Sequence, residues 1–355
     1  MRLLLTFAAA MTLAYAQAPA PAGKMAEEAY NNIVELKGVP ADQVGPAMQF
    51  IASSLGVECT FCHVQGKMEA DDKGAKKTAR EMMHMQAEIN KASFRGQKQV
   101  TCYSCHRGSA RPVNTPPVLE SDAAPRPAAV PMTPPAPGQT VTADQILEKY
   151  VTALGGADAL RKIRSRVQTG KILVGGSETP IEVLTKAPNR RVTITHSANG
   201  DSFTAFDGTA GWMGNAGRPA REMSASESMA SAVDAEFSLA LRVKELYPQL
   251  RRGRPEEIGG VMCDVLNASG PGRMPVRMYF DAKTGLLARM VRYADTPLGR
   301  IPTQVDYADY REQDGVKLPF RWTLSRVNGR FTIQIAELKN NAAIEDAKFV
   351  RPDGK

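Results

Sequence analysis

Apolar and polar residues alternate with two different periods along this chain, and the period changes before its midpoint. In the first part the period is helical. Val44, Met48, Ile51 and Leu55 recur at i, i+4, i+7 and i+11, which predicts a helix capped by Asp42 and stopped by Gly56. Met25, Tyr30, Ile33 and Val34 predict a shorter amphipathic helix over 24–36, broken by Gly38-Val39-Pro40. A third stripe, Ala79, Met82, Met85 and Ile89, with Met83 and Gln86 flanking it, predicts a helix over 76–90. Proline then dominates 111–138, a stretch that cannot build a core and reads as an extended tether. After Thr142, the residues Ile146, Tyr150, Val151 and Leu154 give a helix stopped by Gly155-Gly156, and a short helix follows over 157–163.

From there the period is two. Strands are expected at 167–174, 181–186, 191–195, 202–207 and 209–213, then at 261–268, 276–280, 286–293, 304–311, 318–325 and 331–338. A helical interruption is expected over 226–247. The segments Asp281-Ala282-Lys283-Thr284-Gly285 and Gln313-Asp314-Gly315 read as hairpin turns. About ten consecutive strands with two helical insertions predict a strongly curved antiparallel sheet, with helices against its concave side.

The chemistry lies in the helical part. Cys59-Thr60-Phe61-Cys62-His63 and Cys102-Tyr103-Ser104-Cys105-His106 are two Cys-x-x-Cys-His pentapeptides, the attachment pattern of a c-type haem. Two thiols at this spacing reach the two vinyl groups on one porphyrin edge, and the adjacent His gives the iron a nitrogen ligand. They use four of the chain's five cysteines and two of its four histidines. Two C-x-x-C pairs are also compatible with one structural zinc or with redox disulfides, but neither requires a His after each second cysteine. Met48, on the helix that leads into Cys59, is either the sixth ligand of the first iron or a core residue. Met82, Met83, His84 and Met85 precede the second motif, and one of them is expected to ligate the second iron. Met82 and Met85 share the face expected to turn inward, Met82 ranking slightly ahead, and His84 points away. Cys263 is expected to be a buried inert thiol and His196 a structural or surface residue.

Composition refines this picture. Met1-Arg2, the apolar run to Leu13 and Ala14-Tyr15-Ala16 read as an export signal over 1–16, with the mature chain starting near Gln17. That places the chain in a bacterial periplasm, and no later apolar run is long enough for a transmembrane helix. A length of 355 residues favours more than one domain. The net charge is +8, and roughly six units of it follow the tether, which fits an acidic partner or membrane surface. Basic residues are not clustered with aromatics, so nucleic acid is not an expected partner.

Residues 39–108 resemble the cytochrome c subunit of photosynthetic reaction centres, in the half that carries its last two haems. The resemblance rests on Met48 separated from Cys59 by ten residues, on Ser54-Leu55-Gly56-Val57-Glu58 leading into the first motif, on the helix with Thr78-Ala79 and Met85, and on Val100-Thr101 leading into the second. It implies Met48 as axial ligand of the first haem. In that subunit the last haem takes a distal His from a region with no counterpart here, so a local Met is the simplest substitute. Half of the subunit is missing, and photosynthesis is not implied. Residues 142–355 resemble the outer-membrane lipoprotein-sorting and lipoprotein-carrier superfamily. Here the carrying residues are Phe206-Asp207-Gly208-Thr209-Ala210-Gly211-Trp212, Tyr279-Phe280-Asp281 with Gly285-Leu286-Leu287, and Asp314-Gly315-Val316-Lys317-Leu318-Pro319. That superfamily has a half-barrel around an apolar cavity.

The expected architecture is multidomain: a signal (1–16), a small mainly-α dihaem c-type cytochrome domain (17–110), a linker (111–140), and an α+β domain with a curved antiparallel half-barrel sheet (141–355). The expected function is electron transfer through two covalently bound haem c groups, not catalysis. The ligands are Cys59, Cys62, Cys102 and Cys105 as thioethers, with His63, Met48, His106 and Met82 or Met85 on the irons. Expected partners are periplasmic or membrane redox proteins, with a lipid, lipoprotein or quinone-like ligand for the second domain. The rivals are a dihaem peroxidase-like enzyme with one open iron, a haem-based redox sensor coupled to a lipid carrier, and a zinc-binding scaffold.

Overall fold

The structure is a computed structural model that describes residues 23–112, 141–215 and 218–351. The expected export signal and residues 113–140 of the expected linker lie outside the described residues. The first described stretch is helical. It contains α1 (Ala26–Ala29), α2 (Val44–Leu55), α3 (Cys59–Cys62), α4 (Gly74–Phe94) and α5 (Cys102–His106). The helix expected over 24–36 is only the single turn α1. Its continuation is broken by Asn31-Asn32, with Asn32 in the left-handed region at φ +61. Asparagine is a weak helix former that tolerates this conformation.

Helix α2 ends at Gly56, whose φ of +65 makes the left-handed cap expected of a glycine there. Its buried face is Val44, Ala47, Phe50 and Ser54, while Met48, Ile51 and Leu55 are half-buried. The small residues Ala47 and Ser54 turn inward because α2 packs closely on α5. The Ser54 carbonyl accepts the Gly108 N–H at 2.8 Å, and a Cβ on Gly56 would lie 2.2 Å from the Gly108 carbonyl oxygen.

The second described stretch begins with α6 (Ala143–Ala153) and α7 (Ala157–Lys162). Thr142 caps α6, accepting the Gln145 N–H at 3.2 Å. Strands β1 (Ser165–Val174), β2 (Ser177–Lys186), β3 (Arg190–Ser197), β4 (Gly200–Phe206), β5 (Gly211–Gly214) and β6 (Arg221–Glu222) follow. After α8 (Ala225–Ala235) and α9 (Leu239–Leu246) come β7 (Gln249–Arg252), β8 (Glu256–Ile258), β9 (Val261–Ser269), β10 (Val276–Asp281) and β11 (Leu287–Asp295). The last are β12 (Arg300–Gln313), β13 (Val316–Arg326) and β14 (Gly329–Asn340). The described residues thus hold fourteen strands in one antiparallel sheet, more than the ten or so expected. The short strands β6, β7 and β8 carry no alternation long enough to read. The order is β6-β5-β4-β3-β2-β1-β14-β13-β12-β11-β10-β9-β7, with β8 on β9, and the sheet does not close.

Two irregularities in register curve the sheet. The register slips at Thr169/Gly170 between β1 and β14, where a Cβ on Gly170 would meet the Gln334 carbonyl oxygen at 2.1 Å. A second slip lies between Tyr279 and Phe280 in the pairing of β10 with β11. Such bulges increase local twist and bend the strand. Helices α6, α8 and α9 fill the concave side against β9, β10 and β11 through Leu147, Tyr150, Val243, Leu266, Met278 and Phe280. Beneath them remains a cavity of about 330 Å³. Cys263 is fully buried beside Val265 and Tyr279, as expected.

The two parts touch through the loop between β11 and β12. This loop inserts Leu298 into the helical core beside Val44, Ala47 and Phe50. The Phe50 ring lies where a Cβ on Gly299 would be, 2.4 Å away, and Lys98 Nζ donates to the Thr296 carbonyl at 2.8 Å. Phe50→Ala is therefore expected to destabilise the helical part by about 3–5 kcal/mol, read as a lower midpoint for loss of helical circular dichroism in urea.

Candidate haem-attachment site

The first motif occupies the single turn α3, with His63 just beyond it. Cys59 is exposed and Cys62 half-buried, and both thiols are free. Burial pushes the Cys62 thiol pKa up. Helix α3 packs on α4, and Lys73 Nζ donates to the Thr60 carbonyl. His63 Nδ1 lies 2.8 Å from the Met68 carbonyl oxygen. A carbonyl only accepts, so Nδ1 carries the ring proton and Nε2 keeps its lone pair for a metal.

That carbonyl is itself held. Lys76 is 8% exposed, and its Nζ donates to the Met68, Glu69 and Ala70 carbonyls, each at 2.9 Å. It also pairs with Asp71 Oδ1 at 3.1 Å. Arg80 binds Asp71 Oδ2 at 2.9 Å and the Asn32 carbonyl at 3.0 Å, and Asn32 Nδ2 donates to the Glu69 carbonyl at 2.6 Å. The charged segment that follows the first motif is in this way folded back on α4. The Arg80 hydrogen bond, followed by those of Asn32 and Lys76, holds the Asp71 carboxyl well below the usual carboxylate range.

The second motif is α5. Its approach is fixed by two buried amides of α4. Gln86 Nε2 and Asn90 Nδ2 donate to the Val100 carbonyl at 2.8 and 2.7 Å, and Asn90 Oδ1 accepts the Gln99 and Val100 N–H groups at 3.1 and 2.9 Å. Thr101 then caps α5, its N–H donating to Ser104 Oγ at 3.0 Å. Cys105 is exposed and Cys102 half-buried, with the Cys102 thiol pKa raised by burial. His106 Nδ1 lies 2.9 Å from the Ser109 carbonyl oxygen, the same arrangement as at His63. The contact of Gly56 with Gly108 brings the approach to the first motif against the exit from the second.

Met48 is half-buried against the helical core, on the helix that packs on α5. The expectation that Met82 and Met85 turn into the protein core needs correction, since they are 38% and 45% exposed. Met83 packs inward instead, in the same cluster as Cys102. The reason is that the inner stripe of α4 is largely polar: Lys76, Gln86 and Asn90 share it with Met83, so hydrophobic periodicity assigned the wrong face. These three polar residues are the ones that sequence reasoning missed. Their spacing from Met83, at i−7, i+3 and i+7, was the available sign. His84 is exposed as expected, its Nδ1 3.7 Å from Glu35. His196 is paired with Asp201 at 2.9 Å on the surface.

Among the described residues no three His, Cys, Asp or Glu side chains converge into a metal cage. The donor set fits a c-type haem at each motif: two free thiols on one turn, followed by an imidazole with its Nδ1 proton engaged and Nε2 available. Carbonyl partners of this kind orient a metal-binding imidazole and raise its basicity.

The sequence profile of the family described as photosynthetic reaction centre cytochrome C subunit matches residues 4–170. A photosynthetic reaction center cytochrome c subunit from Thermochromatium tepidum is 30% identical over 94 residues, covering 25% of this chain and 23% of that protein. The chain therefore spans about a quarter of the length of this relative. The second part is similar to a LolA superfamily protein from Nitrosomonas europaea, at 16% identity and a TM-score of 0.43 over 59% of this chain and 98% of that one. An outer membrane lipoprotein-sorting protein domain from Vibrio parahaemolyticus is 11% identical, with a TM-score of 0.39 over 52% and 89%. The chain thus joins a segment resembling the reaction centre cytochrome to an open, curved antiparallel sheet. Among the described residues no helix is long and apolar enough to cross a membrane.

Lys76→Met is expected to cost about 2 kcal/mol, as a buried charge with several hydrogen bonds is lost, measured by urea denaturation. Acid should act on the same loop. A carboxyl with a depressed folded pKa contributes stability that is present above its ordinary value of 3.8 and is lost as pH falls through the folded value. The unfolding free energy should therefore fall more steeply below pH 3.8 in the native chain than in Asp71→Asn, measured by denaturant titrations over an acidic pH series.

Proposed function

We propose that this chain is a periplasmic c-type cytochrome that binds two haem c groups and carries electrons between redox partners outside the cytoplasm. Each bound haem would supply a one-electron iron couple. Cys59 and Cys62 would hold the first haem through thioethers, and Cys102 and Cys105 the second. His63 and His106 would give the proximal nitrogens. Met48 is assigned as distal ligand of the first iron and Met82 or Met85, whose thioethers lie on the exposed face of α4, as that of the second. A thioether opposite an imidazole raises the potential and leaves no open coordination position, which favours electron transfer over catalysis. The observation that carries this reading is the repeated lock on the two histidines, His63 Nδ1 to the Met68 carbonyl and His106 Nδ1 to the Ser109 carbonyl. Two separate turns each present the same nitrogen, beside the same pair of thiols.

The sheet domain is assigned the holding of a small ligand of lipid, lipoprotein or quinone-like type. Its support is the cavity under α6, α8 and α9, lined largely by apolar and aromatic side chains such as Tyr150, Leu154, Phe237 and Trp322.

The reading is tested on protein produced with c-type maturation machinery. The denatured chain should carry the mass of two haems, and oxidised and reduced spectra should be low-spin, with the weak near-infrared band of methionine ligation. Met48→Ala should remove the methionine signature from one haem, and Met82→Ala and Met85→Ala should show which residue serves the other. A chain with no covalent haem overturns the reading, and a high-spin second haem would move the function to catalysis or sensing.

A further inference from the structure

The concave face of the sheet carries two rows in which an arginine, a threonine and a second arginine sit side by side on adjacent strands. In the first, Arg166 on β1 pairs in register with Thr185 on β2, and Thr185 with Arg191 on β3. In the second, Arg292 on β11 pairs with Thr303 on β12, and Thr303 with Arg326 on β13. Residues directly opposite across paired strands share a face, so each row places two guanidinium groups on one side of the sheet. Arg166, Arg191 and Arg326 all line the cavity.

The acids near these rows are already engaged. Asp234, at the end of α8, forms an ion pair with Arg292, which is 4% exposed. Its backbone carbonyl accepts a bond from Arg191 at 3.3 Å. Glu236 is paired with Arg242 at 2.7 Å. Arg166 donates only to the neutral Asn340 side chain, at 3.0 Å, and lies over the Phe237 ring at 5.1 Å. Arg326, exposed at the edge of the cavity, lies over the Phe331 ring at 5.7 Å. Among the described residues, none of Arg166, Arg191 and Arg326 has a carboxylate within ion-pair distance. Burial, and then the neighbouring Arg191, lower the Arg166 pKa to about 10. Like charges have therefore been gathered into a partly dry space that would be relieved by an anion.

Most of the remaining lining is apolar or aromatic, with Leu160, Met290, Val305 and Ile333 among it, alongside a polar minority that includes Gln168, Thr193 and Lys317. A volume of about 330 Å³ lies at the lower end of the roughly 300–1,000 Å³ of small-molecule pockets. It suits one chain or ring system and not the several acyl chains of a lipoprotein anchor.

We propose that this cavity binds an amphiphile with one anionic group on a single apolar tail, the anion held by Arg166, Arg191 and Arg326. The inference deepens the ligand-holding role assigned to the sheet domain and is independent of the haem reading. Guanidinium groups bind carboxylate and phosphate in the same forked geometry, so a fatty acid and a lysophosphatidate share the required chemistry.

The test uses the full-length chain and isothermal titration with three probes of equal tail length: palmitate, palmitoyl lysophosphatidate and hexadecanol. Palmitate or the lysophosphatidate should bind at least about tenfold tighter than the alcohol, the scale of one charge-assisted hydrogen bond. The tighter of the two identifies the carboxylate or the phosphate source. Arg166→Gln, Arg191→Gln and Arg326→Gln should each weaken the anion about tenfold and leave hexadecanol unchanged. Arg191 also holds the end of α8. If its Gln variant fails to fold by circular dichroism, Arg326→Gln, at an exposed residue with no ion pair among the described residues, decides the matter. Equal binding of palmitate and hexadecanol, or anion binding unchanged in the variants, overturns the proposal while leaving a ligand-holding cavity. Binding of none of the three overturns both.

Discussion

An imidazole can offer only one nitrogen to a metal, and which one is decided by what binds the other. At His63 that decision falls to a backbone carbonyl in a loop that has little apolar surface of its own. Such a loop stays in place only if something outside it holds its polar groups. Lys76 does so from α4, taking three consecutive carbonyls and a carboxylate with one ammonium group. The orientation of His63 thus depends on a buried cation thirteen positions later in the chain. The second motif uses the same helix in a different way, with Gln86 and Asn90 fixing the strand-like entry to α5.

Helix α4 is therefore a scaffold with a polar inner stripe, and much of the helical part is organised around it. This inverts the usual amphipathic arrangement, in which the buried stripe is apolar. The inversion has a physical cause. A short module that must present two exposed thiol turns has long irregular segments, and their backbone groups need partners that apolar side chains cannot supply. The apolar contribution comes from α2 and from Leu298, which reaches over from the sheet.

How much of this was legible in the sequence follows from the range of each interaction. The Cys59 and Cys102 motifs are local, and their chemistry could be read from five residues each. Gly56 was read as a helix stop because a left-handed cap is a one-residue property. The inward face of α4 was misread because it was inferred from Met82 and Met85, and the residues that turn in are Lys76, Gln86 and Asn90, whose partners lie in loops that periodicity does not describe. Most long strands were found from alternation, but β6, β7 and β8 were too short to carry it. The Arg–Thr–Arg rows were invisible for a different reason. Each joins residues on three strands, and register is set by pairing and not by the order of residues along one strand.

The pairing of β1 with β14 has a consequence for how the chain comes to be folded. Arg166 meets Asn340 at the middle of the sheet, so the central seam joins the first strand of the domain to its last. Every other neighbour in the long meander is close in sequence, and all but β7 with β9 join consecutive strands that can form as hairpins. The pair of β1 and β14 closes a loop of nearly the whole domain, the slowest kind of contact for a chain to find. Until β14 is available, β1 presents an unpaired edge, open to strands of other molecules. The seam that gives the finished sheet its continuity is then the place where an incomplete chain is most exposed to misassembly.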